Sequence, residues 1–398
     1  MTGQILFVAY GGGHMRMLVP VAQEMRDRGH DILLLPLTLG VKDAAASGLP
    51  MITLNEALAD HPGFDEMLSW GRQIAPTSDH PSMSDHDTHV YHGMGFHDVV
   101  AERGETSARH AFAETGRKSF HPLQSWRWIL DRLQPRAVVA TNSPRSESAC
   151  LRAAVAKGVP ATCVTDHFLV YEIDYVSQPS HGHKITVLGD AIADFLIAHG
   201  RPAEDIVVTG NTSFDLVGDD TYRQAGAALR SDRGWTDKTV ILWPQQSKAT
   251  QVGGKTLIPP QQIAPHLRAA LDADPAAVLV IRPHPNAPGP GLAADGDRVV
   301  LEPDPAIETL IHACDVVVQQ STTVGIQAAL IGKSVITIAN KGMPPFAEYG
   351  LARDIASPDM LGAALTRPQK PDPSNLRAPA LGGAQGRIAD VIEAGLGA

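Results

Sequence analysis

Residues 316–338 read VVVQQSTTVGIQAALIGKSVITI, in which two β-branched runs flank a stretch of helical character. This order predicts a strand, a helix and a second strand, the βαβ unit of a parallel sheet. The first run is apolar enough to be buried, yet it ends in Gln-Gln-Ser-Thr-Thr, where Asn, Asp or Pro would be ordinary turn chemistry. Hydroxyls and free N–H groups at the start of a helix suit an anion. The turn is therefore predicted to bind a phosphate.

The same alternation fills most of the chain, in two separate series. It runs from ILFVAY at residues 5–10 to PATCVTD at residues 160–166, stops near Asp205, and resumes from IVVTG at residues 206–210. A chain of 398 residues is also long enough for two domains. The predicted fold class is α/β, with two doubly wound, Rossmann-like domains facing a cleft. We expect a first domain at residues 1–205, a second domain at residues 206–375, and a segment crossing back at residues 376–398.

Residues 56–125 fit neither series. An insertion of this size, rich in His, Asp, Ser and Gly, predicts a functional loop or lid. Within it, SDHDTHVYHGMGFH at residues 84–97 carries several metal-ligating residue types, but no apolar strand precedes them. We interpret this stretch as a polar loop that is solvated or contacts the acceptor, and we predict no metal site.

The composition excludes several classes of protein. Lys and Arg total 33 against 43 Asp and Glu, a net charge of −10 that argues against a broad nucleic-acid surface and still allows a local basic pocket for a small phosphate. The sequence contains no window of about 18 uncharged apolar residues, so no membrane span is predicted. The N-terminus resembles a strand rather than a signal peptide, and the three cysteines stand in apolar contexts. We expect a cytoplasmic protein with buried thiols; peripheral membrane contact and a homodimer stay open.

The first series ends two of its strands in candidate acid/base groups. After the first strand come three glycines and His14, then a helix. Glycines let the backbone pass close to a ligand, so Gly12 and Gly13 are predicted to contact substrate. The spacing is not G-x-G-x-x-G and no acidic residue closes the second strand, so dinucleotide binding is not favoured. His14 lies where open α/β sheets place ligands. Asp166 and His167 follow another strand and are either acid/base catalysts or a hydrogen-bonded loop pair.

The loop after AVVAT at residues 137–141 supplies further polar groups. Asn142, Ser143 and Arg145 are predicted to contact substrate. Glu147 falls in the first turn of the following helix, where a carboxylate suits the helix dipole. Capping explains that residue as well as a function does.

The second series ends three strands in polar or cationic residues. Prolines on both sides of His284 keep it out of a helix, which favours a phosphate contact over a packing role. The predicted phosphate-binding residues are Lys248, Arg282, His284, Ser321, Thr322, Thr323 and Gly325. Gln245 and Gln246 are predicted to contact substrate.

Several segments resemble the GT-B superfamily of nucleotide-sugar enzymes. GGGHMRMLVPVAQEMRDRGHDILLL at residues 11–35 is similar to the first strand, glycine loop and helix of many GT-B glycosyltransferases, in which the histidine can act as a base. IVVTGNTSFDLV at residues 206–217 and GIQAALIGKSVITI at residues 325–338 resemble UDP-N-acetylglucosamine 2-epimerases. RPHP at residues 282–285 and QSTT at residues 320–323 resemble the HP and Ser/Thr motifs of bacterial capsule, teichoic-acid and polysialic-acid transferases. The resemblance implies a GT-B fold.

The chain departs from the epimerases at their charged positions. Residues 142–144, 165–167 and 245–248 replace the Gly-Asp-Thr, His-Val-Glu and His-Arg-Arg-Glu segments of those enzymes, and Ala328 and Ala329 replace paired glutamates. Glycosyl transfer needs fewer groups: one base for the acceptor hydroxyl, and donors that stabilise the leaving phosphate.

The resemblance therefore favours a metal-independent glycosyltransferase of bacterial surface-glycan or glycoconjugate biosynthesis. Its partners would be a UDP-, CDP- or CMP-linked sugar donor and an unknown acceptor, with no cofactor. His14 or Asp166 would be the base. The alternatives are an epimerase or hydrolase of a UDP-amino sugar that uses Asp166 and His167, and a non-catalytic nucleotide- or glycan-binding protein.

Overall fold

The computed structural model of the protein describes residues 3–11, 13–78, 83–245, 251–252, 255–284, 292–339 and 344–397. Packing divides the chain into two compact units. The first comprises residues 1–188, 192–213 and 383–398, and the second comprises residues 189–191 and 214–382. The domain boundaries predicted after residues 205 and 375 fall a few residues before these divisions.

The first unit is built on a six-stranded sheet in which every pairing is parallel, in the order β2-β1-β3-β4-β5-β6. Its strands are β1 (Ile5–Ala9), β2 (Ile32–Pro36), β3 (Ala137–Thr141), β4 (Ala161–Val164), β5 (Lys184–Val187) and β6 (Ile206–Val208). Strands β1, β3 and β4 are buried along their whole length. Continuous apolar runs of this kind are typical of parallel strands covered on both faces.

Helices connect these strands. They are α1 (Gly13–Asp27), α2 (Gly40–Ser47), α3 (Leu54–Leu58), α4 (Phe64–Ile74), α5 (Asp85–Arg103), α6 (Glu105–Thr115), α7 (Leu123–Leu133), α8 (Ser146–Ala156), α9 (Ile173–Val176), α10 (Asp190–Ala198) and α11 (Thr212–Asp215). A 3₁₀ turn, Gly116–Ser119, follows α6.

The insertion at residues 56–125 is mostly helical, so its interpretation as a loop was wrong, and residues 85–97 belong to α5. Ser84 starts this helix by accepting a hydrogen bond from the Asp87 backbone N–H at 3.0 Å, with Asp85 and Asp87 in the first turn. Helix α5 packs closely against α4 because of a glycine. A Cβ at Gly93 would lie 1.9 Å from the Met67 carbonyl oxygen.

The second unit repeats the design with a parallel sheet in the order β11-β10-β7-β12-β13-β14 and a separate two-stranded ribbon, β8-β9. Its strands are β7 (Thr239–Pro244), β8 (Gln251–Val252), β9 (Lys255–Thr256), β10 (Ala277–Arg282), β11 (Val299–Leu301), β12 (Val316–Gln319), β13 (Ser334–Ile338) and β14 (Arg353–Ile355). Its helices are α12 (Asp220–Asp232), α13 (Pro260–Ala273), α14 (Ile307–Ala313), α15 (Thr323–Leu330) and α16 (Leu361–Thr366). The stretch at residues 316–338 forms β12, α15 and β13, as predicted.

The last helix, α17 (Ala384–Leu396), belongs to the first unit. Ile388 and Ile392 are buried in the core formed by β1, β3 and α1. Arg28, which follows α1, donates from Nη1 to Asp390 Oδ1 and Glu393 Oε2, both at 2.7 Å. The chain therefore leaves the first unit after Ser213 and re-enters it at Gly383.

Cys150, Cys163 and Cys314 are buried and form no disulfide, as predicted. Burial raises the pKa of the Cys314 thiol to about 12. Among the helices of the described residues, none combines the length and apolarity needed to cross a bilayer.

Candidate active site

The carboxyl edge of the first sheet brings together three polar side chains from different segments. Thr141 is the last residue of β3, Asp166 lies just beyond β4, and His14 lies in the first turn of α1, just beyond β1. These strands are neighbours in the sheet, so their ends meet at one edge. This is the edge at which open parallel sheets bind ligands.

His14 is held at one ring nitrogen. Its Nδ1 lies 2.8 Å from Thr141 Oγ1, whereas its Nε2 lies 4.0 Å from Asp166 Oδ2. The His14 and Asp166 side chains are 26% and 24% exposed, so a ligand can reach both. Thr141 is fully buried, which fixes the anchored side of the ring.

Asp166 is fixed by four hydrogen bonds. Asn142 Nδ2 donates to Asp166 Oδ1 at 2.9 Å, and the His167 backbone N–H donates to the same oxygen at 2.8 Å. Asp166 N donates to Asn142 Oδ1 at 3.2 Å, and Asn211 donates to the Asp166 carbonyl at 2.7 Å. Burial alone would raise the pKa of Asp166, but nearby His167 and His14 and these donors outweigh it and lower the pKa. Asp166 is therefore an anion at neutral pH.

Glu147 lies behind this pair, fully buried. Its Oε1 accepts the Tyr10 backbone N–H at 2.6 Å and lies 3.5 Å from Thr141 Oγ1. Burial raises the pKa of Glu147, opposed by His14 and by hydrogen bonds from backbone N–H groups. The sequence analysis left a capping role and a functional role equally open for Glu147. A first-turn glutamate is ordinary helix chemistry, so no local signal distinguishes this one.

Two arginine side chains contact the Tyr10 side chain. The Arg145 guanidinium carbon lies 5.4 Å from the centre of the Tyr10 ring, and Arg117 Nη1 donates to the Tyr10 hydroxyl at 3.1 Å. Arg145 was predicted as a substrate contact; Tyr10 and Arg117 were missed. Ser143, another predicted contact, is 8% exposed.

The loop after β4 and helix α9 each add one group that the sequence analysis missed. Tyr175 donates its hydroxyl to the Asn142 carbonyl at 2.8 Å. Burial raises the pKa of Glu172, with His167 lowering it and Asp166 adding to the rise. His167 itself lies with Nδ1 3.4 Å from Asp166 Oδ1. The loop therefore places two carboxyl groups and an imidazole at the same strand end.

The second sheet also gathers predicted residues at its carboxyl edge. Gln245 follows β7, is 5% exposed, and donates its backbone N–H to the Arg282 carbonyl at 2.9 Å. Arg282 donates from Nη1 to the carbonyls of Glu302 and Pro305 at 3.0 and 2.8 Å. These two hydrogen bonds hold the segment that follows β11 in place. His284 is half-buried, and burial lowers its pKa. It is therefore neutral at pH 7.

The turn that follows β12 is built around a buried glutamine. Gln319 accepts the Thr322 backbone N–H at Oε1 (2.8 Å) and donates from Nε2 to Thr337 Oγ1 at 3.0 Å. Thr322 is the N-cap of α15, and its hydroxyl accepts the Val324 N–H at 3.3 Å. A Cβ at Gly325 would lie 2.7 Å from Gln319 Nε2, so this position admits glycine alone without a shift. Part of the hydroxyl cluster therefore caps the helix.

The remaining predicted residues are placed as follows. Gly13 is the first residue of α1. Ser321, in the turn before α15, and Thr323, the first residue of α15, are both half-buried. Three more lie outside the described residues: Gly12, Gln246 and Lys248. Within the described ranges, no group of three or more His, Cys, Asp or Glu side chains is arranged to hold a metal ion.

The two parallel sheets define the fold class of the protein. Two units, each a six-stranded parallel sheet between helices, form the GT-B fold that the sequence predicted. Solved structures that share this architecture match nearly the whole chain, which confirms the predicted fold.

Individual solved structures show the same architecture. The chain is similar to MnaA of S. aureus, solved with UDP, at 15% identity over 99% of this chain and 97% of that one, with a TM-score of 0.62. It is similar to the UDP-GlcNAc 2-epimerase of Neisseria meningitidis bound to UDP-GlcNAc, at 14% identity over 99% and 100%, with a TM-score of 0.61. The calicheamicin glycosyltransferase CalG4 matches at 14% identity over 100% and 99%, with a TM-score of 0.58. No family model and no curated protein sequence matches the chain. At these identities the likeness concerns the fold alone.

Proposed function

We propose that the protein is a glycosyltransferase that moves a sugar from a nucleotide-linked donor to a hydroxyl group of an acceptor in bacterial surface-glycan or glycoconjugate biosynthesis. UDP-, CDP- and CMP-linked sugars are the donor candidates, and no metal is required in this proposal. The neighbours solved with UDP and UDP-GlcNAc support the nucleotide part of the proposal.

The observation that carries the proposal is the one-sided anchoring of His14. Glu147 Oε1 favours Thr141 as a hydroxyl donor, so the Thr141 oxygen is left to accept from His14 Nδ1–H. That tautomer leaves the lone pair on Nε2, the nitrogen that faces Asp166 and a ligand. A general base needs this orientation.

The reaction then balances with the residues of this chain. The acceptor hydroxyl gives its proton to His14 Nε2 as its oxygen forms a bond to the anomeric carbon of the donor sugar. The bond from that carbon to the phosphate oxygen breaks, and the nucleotide leaves with the electron pair. The Asp166 carboxylate, 4.0 Å from Nε2, stabilises the imidazolium that forms. Asp166 itself stays ionised.

The second unit would bind the donor. In this proposal the backbone N–H groups at the start of α15, Ser321, Thr323 and His284 contact the phosphates, together with Lys248. Neutral His284 can still donate one hydrogen bond to a phosphate oxygen.

Nucleotide binding tests the donor assignment. A thermal-shift series with UDP, CDP, CMP, GDP and dTDP should show one base preferred, because a ligand at a hundredfold excess over its Kd stabilises the folded state by about 2.7 kcal/mol. Sugar transfer with the matching nucleotide sugar then tests the reaction. If no nucleotide changes the unfolding temperature, the proposal is wrong.

A second candidate is epimerisation or hydrolysis of a UDP-amino sugar. The placement of Asp166, His167 and Glu172 at one strand end supports it, since removing and returning a proton at C2 needs more than one acid/base group. Incubation with UDP-N-acetylglucosamine in deuterated water separates the two reactions. Solvent deuterium at C2 would establish the epimerase and overturn the transferase.

A further inference from the structure

Two arginines of the first unit converge on one aromatic side chain. Arg145 lies over the Tyr10 ring at 5.4 Å, and Arg117, from the 3₁₀ turn after α6, donates to the Tyr10 hydroxyl at 3.1 Å. Both arginine side chains are half-buried. They come from segments separated by 28 residues in the chain, so the fold brings them together.

Within the described ranges, neither guanidinium has a carboxylate partner within 4.0 Å. Among the described residues, no Asp or Glu oxygen forms an ion pair within 4.0 Å of Arg117 or Arg145. The Nε of Arg145 is buried and has no hydrogen-bond acceptor in the described part of the chain. Glu147, whose charge acts on Arg145, directs Oε1 to the Tyr10 backbone and towards Thr141.

An unpaired, partly desolvated cation is unfavourable unless something else supplies the counter-charge. This chain has ten more acidic than basic residues, so acids for pairing are plentiful elsewhere. The neighbouring phenol of Tyr91 does not supply a charge, because burial raises the pKa of Tyr91 to about 12. The missing counter-charge therefore points to a ligand.

The arginine pair lies beside the candidate base. Tyr10 is four residues before His14, and the Glu147 side chain links the Tyr10 backbone to Thr141, which contacts His14. A group held by Arg117 and Arg145 would thus lie on a molecule that also reaches His14.

We propose that Arg117 and Arg145 form a subsite for an anionic group on the acceptor, so that the acceptor is an acidic sugar or a sugar phosphate. This inference rests on the proposed transferase function, because it assigns the acceptor of that same site. Guanidinium groups present planar pairs of N–H donors that match the oxygens of a carboxylate or a phosphate. Both anions share this recognition chemistry.

The test uses three sugars that differ in charge: D-glucuronate, D-glucose 6-phosphate and D-glucose, each titrated into the full-length protein and followed by NMR. We expect at least one anionic sugar to bind at least about tenfold more tightly than glucose. Glucuronate as the tighter ligand would assign a carboxylate, and glucose 6-phosphate a phosphate.

Matched variants locate the site. Arg117→Gln and Arg145→Gln should each weaken the anionic sugar about tenfold or more. Arg145→Lys keeps the positive charge but loses the paired N–H donors of the guanidinium. Its affinity for the anionic sugar should lie between those of Arg145→Gln and wild type. Arg103→Gln removes the same charge from an exposed ion pair on α5 and should bind as wild type does.

Two results would overturn the inference: equal binding of the anionic sugars and glucose to wild type, or unchanged anion binding in both the Arg117→Gln and Arg145→Gln variants. Arg117→Gln keeps the test decisive if Arg145→Gln does not fold. The titration contains no nucleotide sugar, so its failure is distinct from a failure of donor binding or of transfer.

Discussion

At the scale of single residues, His14 combines a fixed nitrogen with a reachable one. Its position after β1, and that of Asp166 after β4, follow from the sequence because strand ends of a parallel sheet are predictable from the apolar runs. The contact between Glu147 and Tyr10 was missed because it joins residues 137 positions apart. Such a contact depends on how α8 packs against β1, which no local pattern encodes. Arg117 was missed for a similar reason, 107 positions from the hydroxyl that it binds.

The base assignment predicts that His14→Ala lowers kcat about 10²- to 10⁴-fold, the usual contribution of a general base. Nucleotide affinity should be unchanged, because His14 belongs to the first unit. Steady-state kinetics and a nucleotide titration measure both quantities. His110→Ala, an exposed histidine on α6, is the matched control. Unchanged kcat in the His14 variant would remove it from the mechanism.

The burial of Glu147 predicts that the stability of the folded protein depends on pH. Burial raises its pKa above 4.5, so the folded state holds this proton more tightly than the unfolded chain does. The stability that protonation contributes is complete below pH 4.5 and is lost as the pH rises through the folded pKa. Glu147→Gln does not titrate, so the variant should gain stability relative to wild type as the pH rises from about 4 to 8.

Thermal unfolding of both proteins across this pH range gives the difference. Exposed Glu114→Gln on α6 is the control and should show no such trend. A constant difference between Glu147→Gln and wild type would show that Glu147 does not titrate as its burial implies. Glu147→Ala, which removes the acceptor oxygen, should lower kcat roughly tenfold, because Thr141 loses the group that orients it towards His14.

At the scale of elements, the βαβ units were predictable and the helical insertion was not. Continuous apolar β-branched runs identify buried parallel strands directly. Helix α5 has many histidines and two glycines inside it, a composition typical of loops, and it is stabilised by close packing on α4 through Gly93. Tertiary packing of this kind overrides local propensity.

The packing of the turn after β12 predicts that Gly325 cannot be replaced without loss of stability. Gly325→Ala would push its Cβ into buried Gln319, which holds the Thr322 N–H and the Thr337 hydroxyl. We expect a loss of about 1–3 kcal/mol in the free energy of unfolding, measured by denaturant titration. Nucleotide affinity should fall as well.

The control is Gly362→Ala in α16, where a Cβ meets nothing within 4 Å. Alanine there should stabilise the helix by about 0.5–1 kcal/mol. Equal effects of the two substitutions would mean that the turn is not packed as described.

At the scale of the whole molecule, the two units differ in continuity. Nearly all of the second is one segment, residues 214–382, whereas the first also needs α17 from beyond it. We predict that a fragment of residues 214–382 unfolds cooperatively and that a fragment of residues 1–213 does not. The shorter first unit would expose the core surface that Ile388 and Ile392 cover.

A rescue experiment makes this prediction sharper. The Gly382 N–H donates to Asp215 Oδ1 at 2.8 Å, so the chain leaves and re-enters at neighbouring points. Residues 1–213 joined to 383–398 by a short Gly/Ser linker should therefore regain a cooperative transition by circular dichroism. If residues 1–213 alone unfold as cooperatively as the joined chain, α17 is dispensable for the first unit.

The late position of α17 also sets an order of events on the ribosome. About 170 residues separate Ser213 from Gly383, and synthesis at 5–20 residues per second takes roughly 10–30 s to cover them. During that interval the nascent first unit has an uncovered apolar face, while the second unit is still being made. The second unit is thus complete before the first, and the exposed face is a target for chaperones during every round of translation.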